Sequence, residues 1–197
     1  MDATIESVTL GLFEIGAVKF GRFTLASGRT SPIYMDLRLL ISAPTLLQQA
    51  AQLYARKLEK LEFDLLGAIP YAGLPIGVAV SLEMNRPLIF PRKEAKEYGT
   101  GKRIEGQFHV GQTVVVVEDL VTSAGSALSG IALLKAAGLQ VNDVVVLLDR
   151  EQGGRKNLED DGYKLHSVLS LGQMLSVLEG HGHITAKQQA DVLAMLS

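Results

Sequence analysis

Short apolar runs alternate along this chain with longer segments that are apolar on one face only. The clearest run covers residues 113–117, where four valines follow a threonine. A continuous β-branched run indicates a strand buried on both faces, as in a parallel sheet. Similar runs predict further strands at 65–69, 88–90, 141–148 and 164–169.

Apolar residues at helical spacing lie between these strands. They predict helices at about 4–16, 43–60, 73–84, 126–137, 171–179 and 185–196. Two short strands are predicted nearer the start, at 20–25 and 32–36. The alternation of strands and helices indicates an α/β fold with a mostly parallel central sheet flanked by helices.

No linker is long or polar enough to divide the chain, so residues 1–197 are expected to form a single domain. We expect about residues 1–40 to form a small N-terminal hood, with the C-terminal helices packed nearby. The stretch 91–106 is charged, contains glycines and has no apolar period, which predicts a mobile surface loop. Ligands of parallel sheets bind at the carboxyl ends of the strands, so the chemistry should lie there.

Composition narrows the class of protein. The chain has a net charge of -2 and no cysteine. Because a nucleic-acid binder is usually basic, the negative charge argues against that class of protein. The absence of cysteine excludes thiolate metal sites and disulfides. No apolar run approaches the length of a membrane span, and the acidic start lacks a signal peptide's basic residues, so we expect a cytoplasmic protein. His181 and His183 match no metal-binding spacing and are expected in a turn.

Two acids and a small-residue segment follow the valine run. Glu118 and Asp119 are adjacent carboxylates that a cation or a pair of sugar hydroxyls could compensate. Residues 122–126 then supply hydroxyls, a glycine and the start of a helix, which together can hold a phosphate. The pattern fits a ribose 5-phosphate. The alternative is a strand followed by an ordinary helix capped by Thr122 or Ser123.

Two basic features add to this pattern. The stretch 92–103 carries five basic residues, and a mobile basic loop can stabilise a leaving pyrophosphate. A solvated loop of mixed charge is the alternative. Arg150 follows a predicted strand, where a guanidinium can bind a carboxylate bidentately. A surface ion pair with Asp149 or Glu151 is the alternative for this residue.

The residues from the valine run to Ser126 resemble the signature of type I phosphoribosyltransferases, which bind phosphoribosyl pyrophosphate (PRPP). Three further segments resemble the orotate phosphoribosyltransferases, above all the transferase half of UMP synthases. They are Ser27-Gly28-Arg29-Thr30-Ser31-Pro32-Ile33-Tyr34-Met35-Asp36-Leu37-Arg38, Arg92-Lys93-Glu94-Ala95-Lys96-Glu97-Tyr98-Gly99 and Leu147-Leu148-Asp149-Arg150-Glu151-Gln152-Gly153-Gly154. The resemblance implies the type I phosphoribosyltransferase fold.

The resemblance also implies roles for individual residues. It makes Lys96, Glu118 and Asp119 catalytic, with the two acids facing the ribose hydroxyls. It assigns orotate binding to Tyr34, Met35, Thr122 and Arg150. It assigns PRPP or pyrophosphate binding to Tyr71, Ala72, Arg92, Lys93, Lys96, Tyr98, Glu118, Asp119, Leu120, Val121, Thr122, Ser123, Ala124, Gly125 and Ser126.

The implied activity is transfer of the phosphoribosyl group from PRPP to orotate in pyrimidine biosynthesis. The resemblance further implies Mg²⁺ held mainly by PRPP, a homodimer with shared active sites, and an orotidylate decarboxylase as a possible partner. A transferase for purines or other nucleobases, or a non-catalytic PRPP sensor, would share part of the pattern. Ala26 and Ala72 stand where many members have lysine, so Arg29 and the basic loop are expected to carry more of the anion binding.

Overall fold

A computed structural model describes residues 3–24, 28, 30–92 and 103–195. The helices are α1 (Ala3–Glu14), a 3₁₀ helix (Leu37–Ser42), α2 (Pro44–Leu58), α3 (Gly73–Met84), α4 (Gly125–Ala136), α5 (Gly154–Asp160), α6 (Leu171–Gly180) and α7 (Ala186–Leu193). The strands are β1 (Val18–Thr24), β2 (Thr30–Met35), β3 (Leu65–Ala68), β4 (Leu88–Pro91), β5 (Ile104–Glu105), β6 (Thr113–Val121), β7 (Gln140–Asp149) and β8 (Lys164–Ser170).

The central sheet has the order β5-β4-β3-β6-β7-β8. Its strands pair in parallel except β5, which is antiparallel to β4. The chain passes from β3 outward to β4, then returns to place β6 on the other side of β3. The direction of winding therefore reverses between β3 and β6. Such a reversal opens a crevice at the carboxyl ends of the two strands, where ligands of these folds bind.

Apolar layers cover both faces of the sheet. Val115 and Val117 of β6 pack in one core cluster with residues of α1, α2, α3 and α6. Val114 and Val116 pack in a second cluster with residues of α4 and α5. The side chains of a strand alternate between the two faces. A run of four valines is thus buried in both layers, which is why this strand could be predicted from sequence.

Strands β1 and β2 pair as a two-stranded antiparallel hairpin within the segment predicted as the hood. Helix α7 contacts β2, and helix α6 contacts α1. His181 Nε2 lies 2.7 Å from Glu6 Oε1, which joins the end of α6 to α1. The His183 ring lies 4.9 Å from the Phe13 ring. Both histidines therefore serve packing between the hood and the C-terminal helices.

The α/β fold with a mostly parallel sheet is confirmed, and four elements differ locally from the prediction. Strand β6 continues to Val121, so Glu118 and Asp119 lie inside it and not after it. Neither helix α5 nor the 3₁₀ helix at Leu37–Ser42 was predicted. Ile104 and Glu105, predicted as loop, form strand β5.

Two sequence-based predictions stay predictions at this level. They are the single-domain organisation and the hood of about 1–40. Within the described ranges, no helix combines the length and the apolar character needed to cross a bilayer.

Candidate active site

The acidic pair lies at the crevice between β3 and β6. Glu118 is 8% exposed, and Asp119 is partly buried. Burial raises the pKa of the Asp119 carboxyl above its ordinary value, and the negative charge of Asp36 adds to this effect. A cation or hydroxyl donors that reached this carboxylate would offset the cost of its burial.

A tyrosine from helix α2, which packs against one face of the sheet, contacts the backbone at the acidic pair. Tyr54 of α2 is fully buried, and its hydroxyl donates a hydrogen bond of 2.5 Å to the Glu118 carbonyl oxygen. Burial also raises the pKa of the Tyr54 phenol, so the group stays protonated and remains a donor. Gly73 lets the start of α3 pack closely against β6 at this point, because a Cβ there would lie 2.9 Å from the Val117 carbonyl oxygen.

We expect Tyr54→Phe to lower the free energy of unfolding by about 0.5–1.5 kcal/mol, because the hydrogen bond from the buried Tyr54 hydroxyl to the Glu118 carbonyl oxygen would be lost. Urea unfolding followed by circular dichroism measures this change. Tyr163→Phe is the matched control, since the Tyr163 hydroxyl accepts its hydrogen bond, of 3.2 Å, from the exposed Lys135. Equal losses in the two variants would show that the buried hydrogen bond has no special weight.

The small-residue loop passes directly from β6 into α4. Ala124 is the N-cap of α4, with a left-handed backbone (φ 66°) and no side-chain hydrogen bond to the first turn. The predicted alternative, a helix capped by Thr122 or Ser123, is therefore wrong. Backbone N–H groups at such a helix start can bind a phosphate.

Helix α5 packs against this loop and holds it in place. The Asn157 side-chain amide donates 3.1 Å to the Ser123 carbonyl oxygen. A Cβ at Gly154 would lie 2.6 Å from the Thr122 carbonyl oxygen, so only glycine allows this approach. Helix α5, which was not predicted, thus stabilises the loop through contacts with its backbone carbonyl groups.

A cavity of about 420 Å³ joins the loop to the first residue of the basic stretch. Arg92 lines it, and the Arg92 guanidinium is 2.6 Å from the Glu105 carboxylate. The remaining lining residues are Ile69, Pro70, Pro91, Gly125, Ser126, Ser129, Gly130 and Leu133. Tyr71 and Ala72 follow Pro70 in the turn before α3, where Ala72 is the N-cap. Lys93, Lys96 and Tyr98, like Ala26 and Arg29, lie outside the described residues.

A larger groove of about 700 Å³ lies elsewhere, beside Phe108, His109 and Ala137. Neither acid of the pair nor Arg150 lines it. The candidate site is placed by its chemistry, at the carboxyl ends of the strands, and not by cavity size.

Arg150 lies at the same edge of the sheet. Its backbone N–H donates 3.0 Å to the Val121 carbonyl oxygen, which joins it to the end of β6. The residue is 9% exposed, and its Nε and Nη2 atoms have no hydrogen-bond partner in the described part of the chain. Burial lowers the pKa of the guanidinium, yet arginine stays charged in proteins. A planar anion with two oxygens would satisfy these two donors.

The alternative of a surface ion pair at Arg150 is wrong. The Asp149 carboxylate is 3.1 Å from the Arg155 guanidinium. The Glu151 carboxylate accepts a hydrogen bond of 2.7 Å from the Gly172 backbone. Both neighbouring acids are therefore engaged with other residues and not with the Arg150 guanidinium.

A charged pair, Asp36 and Arg38, follows strand β2, and no role was assigned to it from the sequence. The Arg38 guanidinium donates to both Asp36 carboxylate oxygens, at 2.6 and 2.7 Å. The negative charge of Asp36 raises the pKa of the Asp119 carboxyl, and the positive charge of Arg38 lowers it. The charged pair after β2 therefore lies within electrostatic range of Asp119. Tyr34 and Met35 precede this pair, and the Tyr34 ring lies 5.5 Å from the Phe23 ring.

The fold and the site define a class of protein. The chain matches the family model of the phosphoribosyl transferase domain over residues 40–167. It therefore belongs to the phosphoribosyl transferase family. The matched residues run from the 3₁₀ helix into β8, and they include the acidic pair, the loop before α4 and Arg150.

Relatives narrow this class. The chain is 38% identical over 171 residues to the orotate phosphoribosyltransferase of Pyrococcus abyssi, covering 86% of this chain and 94% of that protein. It is 43% identical over 188 residues to the uridine 5'-monophosphate synthase of Bos taurus, covering 94% of this chain and 39% of that protein. The structure of Leishmania donovani UMP synthase matches with a TM-score of 0.89 at 41% identity, covering 97% of this chain and 42% of that one.

These likenesses place the chain among the orotate phosphoribosyltransferases of the family. The chain spans about two fifths of the length of the first curated relatives that it matches, one of which carries the name bifunctional enzyme PyrF/PyrE.

Proposed function

We propose that this chain transfers the 5-phosphoribosyl group from PRPP to orotate and releases orotidine 5′-monophosphate and pyrophosphate. The observation that carries this proposal is the buried Arg150 guanidinium, with Nε and Nη2 unpaired, beside a phosphate-type loop and an acidic pair. Orotate differs from uracil by its 6-carboxylate, which matches these two donors.

The PRPP half of the site follows from β6 and α4. Glu118 and Asp119 would accept hydrogen bonds from the ribose 2- and 3-hydroxyls. Residues 120–126 would hold the 5-phosphate through backbone N–H groups and hydroxyls at the start of α4. Arg92 lines the cavity beside this loop together with Pro70, which Tyr71 and Ala72 follow, and all three residues would face the pyrophosphate.

The orotate half would lie between the hood and Arg150. Tyr34 and Met35 would pack against the pyrimidine ring, Thr122 would contact its edge, and Arg150 would bind its carboxylate. Orotate N1, already anionic, attacks C1′; the N1–C1′ bond forms as the bond from C1′ to the pyrophosphate oxygen breaks. No general base is required. The ionised Asp119 and Glu118 would stabilise positive charge on the ribose in the transition state.

Mg²⁺ is proposed as the cofactor, carried mainly by PRPP. The donor set here is two carboxylates in succession on one strand, and the described residues contain no group of three or more possible metal ligands. This open arrangement suits an ion that keeps waters and phosphate oxygens as ligands. Bound there, Mg²⁺ would offset negative charge on the departing pyrophosphate.

Three further parts of the proposal concern assembly and location. We propose a homodimer in which the basic stretch of one subunit contributes to the site of its partner. We also propose a cytoplasmic location. Fusion to a second enzyme in the relative named a bifunctional enzyme supports an orotidylate decarboxylase as partner.

The decisive experiment follows orotate by its absorbance while PRPP and Mg²⁺ are each omitted in turn. We expect turnover only with all three present. Adenine, hypoxanthine and uracil are compared as acceptors, because a purine transferase would have no use for a cation that meets a carboxylate. Turnover of a purine in preference to orotate would overturn the proposal. Nucleic-acid binding at moderate salt, without turnover of any base, would favour a regulator.

We expect Lys96→Ala to lower kcat by roughly 10²- to 10³-fold while the orotate KM changes little, because a loop cation acts on charge that develops in the transition state. Single-turnover and steady-state rates measure both constants. Lys156→Ala is the control, since Lys156 forms an ion pair with Asp160 on the exposed face of α5, away from the candidate site. Unchanged turnover in Lys96→Ala would remove this residue from the mechanism.

A further inference from the structure

The turn that carries Arg150 has an unusual backbone at the next residue. Glu151 adopts a left-handed conformation, with φ 56°. Residues other than glycine avoid this region, and asparagine tolerates it best. A glutamate there needs compensating contacts, and such conformations cluster at functional sites.

Glu151 is held at both its backbone and its side chain. Its backbone N–H donates 2.9 Å to an Asp149 carboxylate oxygen. Its own carboxylate accepts 2.7 Å from the backbone N–H of Gly172, the second residue of α6. Gly172 suits this approach, because a Cβ there would lie 3.3 Å from the Glu151 carboxylate oxygen.

The other acid beside Arg150 is also fixed from outside. The second Asp149 carboxylate oxygen pairs with Arg155, and Arg155 donates 2.8 Å to the Leu165 carbonyl oxygen of β8. The two acids thus anchor the turn to β8 and to α6. Neither compensates the guanidinium between them.

We propose that Glu151 is a positioning residue that determines specificity for an anionic acceptor base. It anchors the turn to the start of α6, so that Arg150 stays in place with its charge open to the acceptor's carboxylate. This inference rests on the proposed function, because it concerns the same guanidinium. Glu151 itself need not touch either substrate.

Three variants separate the side chain from the backbone. Glu151→Ala loses the contact to Gly172, and Glu151→Gly loses the contact but accepts φ 56° without strain. Glu151→Gln keeps an oxygen that can accept the Gly172 N–H. Glu179→Ala is the control, an exposed glutamate near the end of the same helix.

We expect Glu151→Ala and Glu151→Gly to raise the orotate KM on the order of 10- to 100-fold, since small misplacement of a binding group is costly. The PRPP KM should stay unchanged in both. Glu151→Gln should restore the orotate KM to within about twofold, because an amide oxygen replaces the carboxylate as acceptor. Discrimination between orotate and uracil should fall in the first two variants only.

The outcomes separate the two proposals. If the wild-type chain does not turn over orotate, the proposed function fails. If it does, and Glu151→Gly keeps the wild-type orotate KM, the anchoring role is wrong. Equal rises in the orotate and PRPP KM values would also overturn it, because general loosening would then be the cause. Should Glu151→Ala fail to fold, Glu151→Gly and Glu151→Gln still decide, because neither combines strain with loss of the acceptor.

Discussion

Replacing Arg150 with methionine is expected to lower kcat/KM for orotate by about 10²- to 10³-fold, which corresponds to losing one partner of a buried, hydrogen-bonded charge pair. The loss should fall mainly on orotate KM. PRPP binding should change little, because none of the contacts proposed for PRPP is made by the Arg150 side chain. Steady-state kinetics with each substrate varied in turn measure this split.

The same substitution should stabilise the protein without ligand. The Arg150 guanidinium is buried with Nε and Nη2 unpaired, and an unpaired buried charge opposes folding. Methionine fills similar space without a charge, so the melting temperature of Arg150→Met should rise. Weaker orotate binding in a more stable protein cannot be explained by unfolding.

Two controls sharpen this result. Arg150→Lys keeps the charge but loses the planar fork, so it should recover only part of the orotate affinity. Lys156→Met, on the exposed face of α5, should leave both KM values unchanged. If Arg150→Met bound orotate as well as the wild type, the carboxylate site would have to be sought elsewhere.

The parts of the site that could be predicted from the sequence are those formed by one continuous segment of the chain. Four valines predict β6 because its two faces are buried in two separate layers. The loop before α4 could be predicted because hydroxyls and a glycine directly follow the strand. The end of strand β6 was predicted too early, at residue 117, because adjacent acidic residues are uncommon inside a buried strand. Here parallel pairing with β7 continues to Val121, opposite Asp149.

The contacts that support the site could not be predicted, because they join residues far apart in sequence. Tyr54 reads as part of an apolar helix face, and only the packing of α2 under β6 brings its hydroxyl to Glu118. Glu151 and Gly172 lie close together because β8, which connects the two segments, pairs with β7 in the sheet. The roles of Lys93, Lys96 and Tyr98 stay predictions.

The left-handed backbone at Ala124 and Glu151 has the same explanation. A non-glycine residue gives no local sign that it will adopt a positive φ. In both places the conformation falls beside a helix start at the carboxyl edge of the sheet. Neighbouring elements impose it, and the local sequence does not.

Asp119→Asn is the second change with a large expected effect, and it should lower kcat by roughly 10²- to 10³-fold, because a neutral amide cannot stabilise positive charge on the ribose. Binding of PRPP should weaken less, since an amide oxygen still accepts a hydroxyl hydrogen bond. Glu118 would remain in place, held through its backbone by Tyr54. Pre-steady-state measurement of orotidine 5′-monophosphate formation isolates the chemical step.

The stability of Asp119→Asn should change in the opposite direction to its activity. Burial raises the pKa of this carboxyl above its ordinary value of 3.8, so the folded state holds the proton more tightly than the unfolded chain. The ionised carboxylate therefore opposes folding at neutral pH. This destabilisation grows as pH rises from about the ordinary value through the raised pKa. At pH 7 the variant should melt at a higher temperature than the wild type, and the difference should shrink as pH falls towards 4.

Thermal unfolding of both proteins between pH 4 and pH 8 measures this convergence, with the exposed Asp191→Asn as control. The control should follow the wild type at every pH. Loss of both activity and stability at pH 7 would mean that the Asp119 charge is satisfied inside the free protein. It would then have no need of the ribose hydroxyls, and the PRPP half of the proposal would lose its electrostatic basis. A gain in stability joined to a loss of kcat would instead mark Asp119 as a charge kept in place for its substrate.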